Sequence, residues 1–174
     1  MAHIRCPPSP GGDCCDVLDA LIERSITEIS NGRVTSIGHY AFTHTTSLTT
    51  ADLPLVTSIG IEAFTHATSL RTINFPLVTT VFGSAFAFTS SLTTADFSRV
   101  EQICSKAFWG TGKLTKLIIR TPSVARLIGE AFFANSAIQD GVGYIYVPDN
   151  LVAQYKVAPV WSDYASQIRP ISQL

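Results

Sequence analysis

Hydrophobic and polar positions along the chain recur with a period of 22 residues. The pair Ala-Phe marks this period in steps of 22, 22, 22 and 24 residues, at Ala41-Phe42, Ala63-Phe64, Ala85-Phe86, Ala107-Phe108 and Ala131-Phe132. The similarity extends over whole units, which begin at Val34, Val56, Val78, Val100 and Val124. A period of this length predicts a solenoid, in which each unit buries its apolar side chains against the next unit.

Each unit contains one segment that predicts a β-strand. In the first unit, Ala51 and Leu53 alternate with polar residues after Leu48, which is the period of a half-buried strand. Pro54 follows and predicts the end of the strand, because proline has no N–H to donate to a neighbouring strand.

A second, shorter extended segment is predicted at Val34 and Ile37, followed by Gly38. We interpret Gly38 and its equivalent Gly60 as turn residues with positive φ. The Ala-Phe pair then predicts a short helical or 3₁₀ turn with phenylalanine inside. Stacked units would align these rings into one aromatic spine: Phe42, Phe64, Phe86, Phe108 and Phe132.

The ends of a solenoid need covering, and the flanking sequence predicts caps. Apolar spacing predicts a helix over 16–22, and Ile26 and Ile29 predict a degenerate first strand. Beyond a strand at 144–147, Asp149 is placed to cap a helix that holds Leu151, Val152 and Tyr155. Ser162 is placed to cap a second turn, with Trp161, Tyr164 and Ile168 facing inward. The predicted organisation is an arm (1–15), an N-terminal cap (16–33), repeats (34–148) and a helical C-terminal cap (149–174).

The repeated pattern V-x-x-I-G-x-x-A-F, followed by L-x-x-I-x-L-P, resembles the BspA-type leucine-rich repeat over roughly residues 26–148. The resemblance implies a mainly β, right-handed leucine-rich-repeat solenoid of about five 22-residue coils with short helical or 3₁₀ turns. Helical caps are expected at both ends. The family is common among bacterial surface proteins and phage-associated proteins.

Composition and charge narrow the possible functions. The 46% of hydrophobic residues indicate a folded chain, and the net charge of -1 argues against nucleic acid as a partner. No apolar run is long enough to span a membrane, and the N-terminus lacks the apolar segment of a secretory signal. No phosphate loop, nucleophile elbow or H-E-x-x-H motif is present. We therefore expect a protein without enzymatic activity or cofactor.

Three of the four cysteines, Cys6, Cys14 and Cys15, lie in the N-terminal arm. They are candidates for a disulfide or for attachment to another molecule; free thiols or a metal site with His3 are the alternatives. Cys104 replaces the turn glycine of its unit and is interpreted as a structural thiol.

Two columns of polar residues are candidate metal ligands. His44 and His66 occupy the same place in consecutive units, so we expect them to stack about 5 Å apart. Asp52, Asn74 and Asp96 form an outward column whose oxygens could hold calcium. We favour the simpler interpretation of both columns, a duplicated surface histidine pair and a solvated Asp/Asn ladder, because two histidines without a third ligand rarely hold a metal and calcium requires six or more oxygens. Asp52 and Asp96 are too far apart to form a catalytic dyad.

The residues that differ between units carry whatever is specific to this protein. We expect the later units to present an aromatic and apolar interaction surface formed by Phe88, Trp109, Lys116, Ile118, Phe133, Tyr144 and Tyr146. Trp109 has a second possible orientation, folded inward.

The leading functional hypothesis is a recognition or structural protein that binds a protein partner or its own copies. The resemblance implies a component of a phage or prophage virion, either virion-associated or cytoplasmic until lysis. The alternative is a cell-surface adhesin that binds host protein or glycan.

Overall fold

A computed structural model describes residues 26–174 as a mainly β solenoid of about six turns. The longer strand of each coil, numbered in chain order with the others, is β1 (Glu28–Ser30), β3 (Thr50–Asp52), β5 (Thr72–Asn74), β7 (Thr94–Phe97), β9 (Lys116–Ile119) and β11 (Tyr144–Val147). The shorter strand is β2 (Ser36–Ile37), β4 (Ser58–Ile59), β6 (Thr80–Val81), β8 (Gln102–Cys104) and β10 (Arg126–Ile128). The predicted arm and the predicted helix over 16–22 lie outside the described residues.

The strands pair in parallel with their equivalents in neighbouring coils, with one break between β5 and β7. The short strands form one five-stranded sheet in the order β10-β8-β6-β4-β2. The long strands form two ladders, β1-β3-β5 and β7-β9-β11, and the second continues into a last strand, β12 (Ile168–Pro170). The register follows the repeat, so that Ala51 lies opposite Ile73 and Ile37 lies opposite Ile59.

The core is the predicted stack of phenylalanine rings. Neighbouring rings from Phe42 to Phe108 lie 5.2–5.5 Å apart with interplanar angles of 12° or less, and these rings are buried. Phe75 and Phe97, from the long strands, pack against this spine at 5.8–6.5 Å. One coil leaves these rings uncovered, so the stability of each coil depends on its neighbours.

The last coil departs from the predicted alignment by one residue. Phe133, not Phe132, stacks on Phe108 with a centroid distance of 5.8 Å. Phe132 occupies the place that Ala107 has in the previous coil. The carbonyl of Phe132 accepts the N–H of Phe108, just as the carbonyl of Ala107 accepts the N–H of Phe86. The prediction that Phe132 continues the spine is therefore wrong, and so is the expectation that Phe133 is a surface residue. Both rings are fully buried.

The C-terminal segment covers the last coil. It contains a 3₁₀ turn (Asp149–Leu151), helix α1 (Val152–Val157), a second 3₁₀ turn (Trp161–Tyr164), β12 and a third 3₁₀ turn (Ile171–Gln173). The buried indole of Trp161 donates a hydrogen bond to the carbonyl of Ala125, whose N–H donates to the hydroxyl of Tyr155. Trp161 and Tyr164 also pack on the ring of Phe133.

Two details of the predicted C-terminal cap are wrong. Asp149 does not cap a helix, because its carboxylate accepts the N–H of Ser172 near the end of the chain. The residue before the second 3₁₀ turn is Val160, and Ser162 lies inside that turn without a capping hydrogen bond. Ile168 faces inward as predicted, and it does so from a strand that extends the sheet.

Glycine at the turn after the short strand serves a different purpose from the one predicted. Among the described glycines, only Gly110, Gly129 and Gly141 have positive φ. A Cβ atom at Gly60 would lie 2.7 Å from backbone atoms of Gly38 and His39, so Gly60 permits two coils to approach closely.

Candidate functional site

The turn that contains the Ala-Phe pair has two residues of left-handed backbone conformation in each coil, one before the phenylalanine and one after it. The first of these positions is occupied by Tyr40, Glu62, Ser84, Lys106 and Ala131, and the second by His44, His66, Phe88, Gly110 and Asn135, with φ between 54° and 70° throughout. Positive φ is uncommon for residues other than glycine. It prevents a helix here, so the predicted helical or 3₁₀ turn does not form in these coils.

This conformation turns backbone N–H groups toward the next coil. His44, His66 and Phe88 each donate to a carbonyl of the following coil at 2.7–3.0 Å, as Phe42, Phe64 and Phe86 do. The turns therefore form a continuous hydrogen-bonded ladder of their own. Side chains at equivalent turn positions are held in register, one coil spacing apart.

At the second left-handed position, this register creates a stack of rings on the outside of the solenoid. The rings of His44 and His66 lie 4.7 Å apart at an interplanar angle of 4°, and those of His66 and Phe88 lie 4.6 Å apart at 9°. The predicted stacking of the two histidines is confirmed. Trp109 continues the stack, 4.8 Å from Phe88 at an angle of 50°. We call these four residues the aromatic ladder; His44 is exposed and the other three are half-buried.

Trp109 reaches the ladder because the next coil has glycine at the ladder position. Gly110 is equivalent to Phe88, and a Cβ atom there would lie 2.6 Å from the Phe88 ring. The indole of the preceding residue fills the place that a side chain at 110 would take. The ammonium group of Lys106 lies over the indole, 5.2 Å from its centroid, which is a cation–π contact. The indole therefore lies at the surface, against Phe88.

The ladder presents ring edges to solvent. The faces of His66 and Phe88 are covered by their neighbours in the stack, and Trp109 has Phe88 and Lys106 against its ring. Stacking of a sugar on an aromatic side chain requires an open ring face. Contact with a protein requires apolar edges and hydrogen-bonding groups on a rigid surface, which this arrangement provides.

The remaining predicted surface residues lie on the long-strand face, apart from the ladder. Lys116 and Tyr144 are half-buried neighbours in the parallel register. Ile118 and Tyr146 are paired in the same register, but they are only 3% and 8% exposed. The expectation that these two form exposed surface is wrong, because each lies between two cross-strand neighbours, with Arg169 on the far side of Tyr146. Ile118 lies between Asp96 and Tyr146, outside the central core.

Arg169 contributes to the same face from β12. Its guanidinium lies 4.7 Å from the centroid of the Tyr144 ring, and Tyr144 meets Tyr146 edge to face at 6.4 Å. The predicted surface set is therefore divided: Phe88 and Trp109 meet in the aromatic ladder, and Tyr144 and Tyr146 meet on the long-strand face. Whether the other residues contact a partner stays a prediction.

The column of acidic and amide residues is satisfied by its own neighbours. Asn74 donates a 2.7 Å hydrogen bond to the carboxylate of Asp52. Arg120 forms a forked ion pair with Asp96, with its closest contact at 2.8 Å. Carboxylates engaged in this way favour the solvated ladder over the calcium site. Within residues 26–174, no group of three or more His, Cys, Asp or Glu side chains could hold a metal ion.

The cysteines divide between the two parts of the chain. Cys6, Cys14 and Cys15 lie outside the described residues. Cys104 is a half-buried free thiol at the end of β8, and burial raises its pKa. In the part of the chain that the structure describes, no helix is long and apolar enough to cross a membrane.

Sequence reasoning missed a second group of exposed apolar residues, which lies beside the short strands. Tyr40, Ile61, Phe82 and Ile128 are each between 38% and 54% exposed. A signal was present: phenylalanine at position 82 replaces the glycine found at 38 and 60, and a large apolar residue in place of a turn glycine has no role in the core.

Comparisons with known proteins agree with this architecture. A BspA type leucine-rich repeat region is matched by residues 20–140, as six copies of the repeat. The chain belongs to the BspA-type leucine-rich repeat family. The crystal structure of a leucine-rich repeat protein from T. pallidum is similar in fold, with a TM-score of 0.60 and 22% sequence identity over 70% of this chain. The match spans 58% of that protein. The comparison with curated proteins gave no match.

Proposed function

We propose that this BspA-type repeat protein is a non-enzymatic binding protein whose aromatic ladder contacts a protein partner. The observation that carries the proposal is the surface stack of His44, His66, Phe88 and Trp109 at 4.6–4.8 Å spacing. The residues that all units share are explained by packing and turning. Along the ladder, histidine in two coils is followed by phenylalanine and then tryptophan, and such variation is expected of a surface that distinguishes one partner from others.

Rigidity supports binding. The backbone of each ladder residue is fixed by hydrogen bonds to the next coil or by its place in the turn, and each ring is held by its neighbours. Little conformational entropy is therefore left to lose when a partner binds. Tryptophan is enriched among residues that dominate binding energy, and Trp109 lies at one end of the ladder.

Covered ring faces favour a protein partner over a glycan. A protein groove can accept the apolar edges of Phe88 and Trp109 and pair with the ring nitrogens of the histidines. We assign the protein to a phage or prophage particle, with a bacterial surface adhesin as the alternative, because the family occurs in both settings. Detection of the chain in purified particles, and not in the cell envelope, would support the first assignment.

The test is a capture experiment that compares three forms of the protein. Wild type, the double variant Phe88→Ala/Trp109→Ala and the control Lys156→Ala, an exposed residue of α1, are immobilised and exposed to extracts from the source. A protein retained by wild type and the control, but lost by the double variant, is purified and its affinity measured directly. We expect the double variant to weaken binding at least about tenfold, which is about 1.4 kcal/mol. Equal retention by all three forms, or ladder-dependent binding to a glycan array alone, would contradict the proposal.

A further inference from the structure

Apolar residues beside the short strands form a strip with one member in each of five successive coils; four are exposed and Cys104 is half-buried. Phe82, Cys104 and Ile128 follow one another at equivalent positions of three consecutive coils, and Ile128 is paired with Cys104 in the parallel register. Ile61 and Tyr40 extend the strip across the two preceding coils. We call these five residues the apolar strip. An apolar surface that runs across five coils is unusual for a protein that stays monomeric.

Charges flank the strip in an ordered way. Glu62, Ser84 and Lys106 occupy the same left-handed turn position in three consecutive coils. The coil that carries Phe82 is therefore bordered by an acidic coil on one side and a basic coil on the other. That central coil has no charged residue from Val78 to Phe88.

A second complementary pair lies one coil further out. Glu130 is at the turn position equivalent to Ile61. The carbonyl of Glu130 accepts the N–H of Lys106, just as the carbonyl of Ile61 accepts the N–H of Tyr40. His39 occupies the same position in the first full coil, and its Nδ1 accepts the N–H of Ile61. With Nδ1 accepting, the opposite ring nitrogen is free to donate to a carboxylate.

We propose that the apolar strip binds a second copy of this chain about a two-fold axis through the Phe82 coil. In such a contact, a residue that lies a given number of coils before the Phe82 coil in one copy meets the residue that lies the same number of coils after it in the other copy. Phe82 then packs on its own copy, and Tyr40 meets the region of Ile128. Glu62 faces Lys106 of the second copy.

The charge pattern fits this arrangement. Glu62 and Lys106 pair twice by symmetry. Glu130 faces the first full coil of the second copy, where the ring of His39 packs edge to face against Phe82 at a centroid distance of 6.4 Å. The neutral central coil avoids a charge that would meet its own copy on the axis. The partner is therefore of the same sequence, with an apolar centre and a charged rim as in stable interfaces.

Sedimentation velocity across the micromolar concentration range, with reductant present, tests the contact. Wild type is expected to shift from monomer to dimer as concentration rises. Phe82→Glu places two carboxylates against each other on the axis, and we expect it to remain monomeric. Phe88→Ala changes the aromatic ladder but leaves the strip and the Lys106–Trp109 contact in place. It should dimerise as wild type does, which separates this proposal from the proposed function. A wild-type mass that stays monomeric, or a dimer that survives Phe82→Glu, would overturn the proposal.

A charge exchange provides the sharper test. Glu62→Lys alone and Lys106→Glu alone each create two like-charge contacts, so each should weaken the dimer at least about tenfold, equivalent to about 1.4 kcal/mol. Mixing the two variants should restore a heterodimer, and the double variant Glu62→Lys/Lys106→Glu should restore the homodimer. Unchanged far-UV circular dichroism confirms that the variants fold. Single variants that dimerise as wild type does, or a mixture that remains monomeric, would refute the two-fold arrangement.

Discussion

Two phenylalanines in the same coil illustrate how position decides the role of a residue. Phe86 lies between Phe64 and Phe108 and is fully buried. Phe88, two residues later, is half-buried and stacks on His66 outside the core. The left-handed conformation of Phe88 turns the chain between them, so one ring stabilises the solenoid and the other is available to a partner.

Replacing these two residues by alanine should therefore have different effects on stability. Phe86→Ala leaves a cavity within the spine and should lower the free energy of unfolding by about 3–5 kcal/mol. Phe88→Ala removes a ring that solvent already reaches, and its effect should be clearly smaller. Urea denaturation measured side by side checks both, and equal losses would contradict the assignment of Phe88 to the surface.

The glycine beside the short strands allows a second comparison. Gly60→Ala introduces a Cβ atom 2.7 Å from the backbone of the previous coil, and the resulting overpacking should cost about 1–3 kcal/mol. Gly112→Ala is the matched control, since a Cβ atom at Gly112 would have no neighbour within 4 Å. A melting temperature for Gly60→Ala no lower than that of Gly112→Ala would show that close approach does not require this glycine.

At the scale of single residues, the sequence predicted the spine as far as Phe108 and misplaced its last ring. The sequence Ala131-Phe132 matches the repeated pair, but Ala131 lies at the left-handed turn position, so Phe133 points into the core. An inserted residue shifts the structural register although the motif is still present in the sequence. The stacking of Phe133 on Phe108 distinguishes the two alignments.

Among the elements, the C-terminal segment differs most from its prediction. Apolar spacing at 151–155 predicted a helix, and α1 is present at Val152–Val157. The sequence IRP at 168–170 is too short to carry a strand signal, yet it forms β12 because the exposed edge of β11 provides hydrogen-bonding partners. Pro170 then closes the edge, since it has no N–H to offer a further strand.

The end of this segment is held by a carboxylate, and its attachment should depend on pH. Hydrogen bonds from Ser172 keep the pKa of Asp149 below its usual value of 3.8. Because the pKa is lower in the folded state, the contact contributes its full stability above the unfolded pKa of about 3.8. This contribution is lost as pH falls through the folded-state pKa. The amide resonance of Ser172 should therefore shift in strongly acidic solution. Asp149→Asn should abolish this titration, and a Ser172 amide insensitive to acid in wild type would contradict the contact.

On the scale of the whole molecule, the repeat predicted the class of fold. The residues that differ between repeats determine where the aromatic ladder and the apolar strip lie. The stacking of His44 on His66 followed from a 22-residue period and the spacing between strands. The junction of Phe88 with Trp109 did not, because it depends on the space left by Gly110. The apolar strip was missed because Tyr40 and Ile61 occupy positions of the repeat that differ from the one shared by Phe82, Cys104 and Ile128.

We propose the aromatic ladder as the binding surface of this protein. Its most direct test is the affinity of a purified partner for wild type, for Phe88→Ala/Trp109→Ala and for Lys156→Ala, measured by calorimetry. Only the double variant is expected to lose at least about tenfold in affinity, equivalent to about 1.4 kcal/mol. An affinity unchanged by the loss of both rings would contradict it.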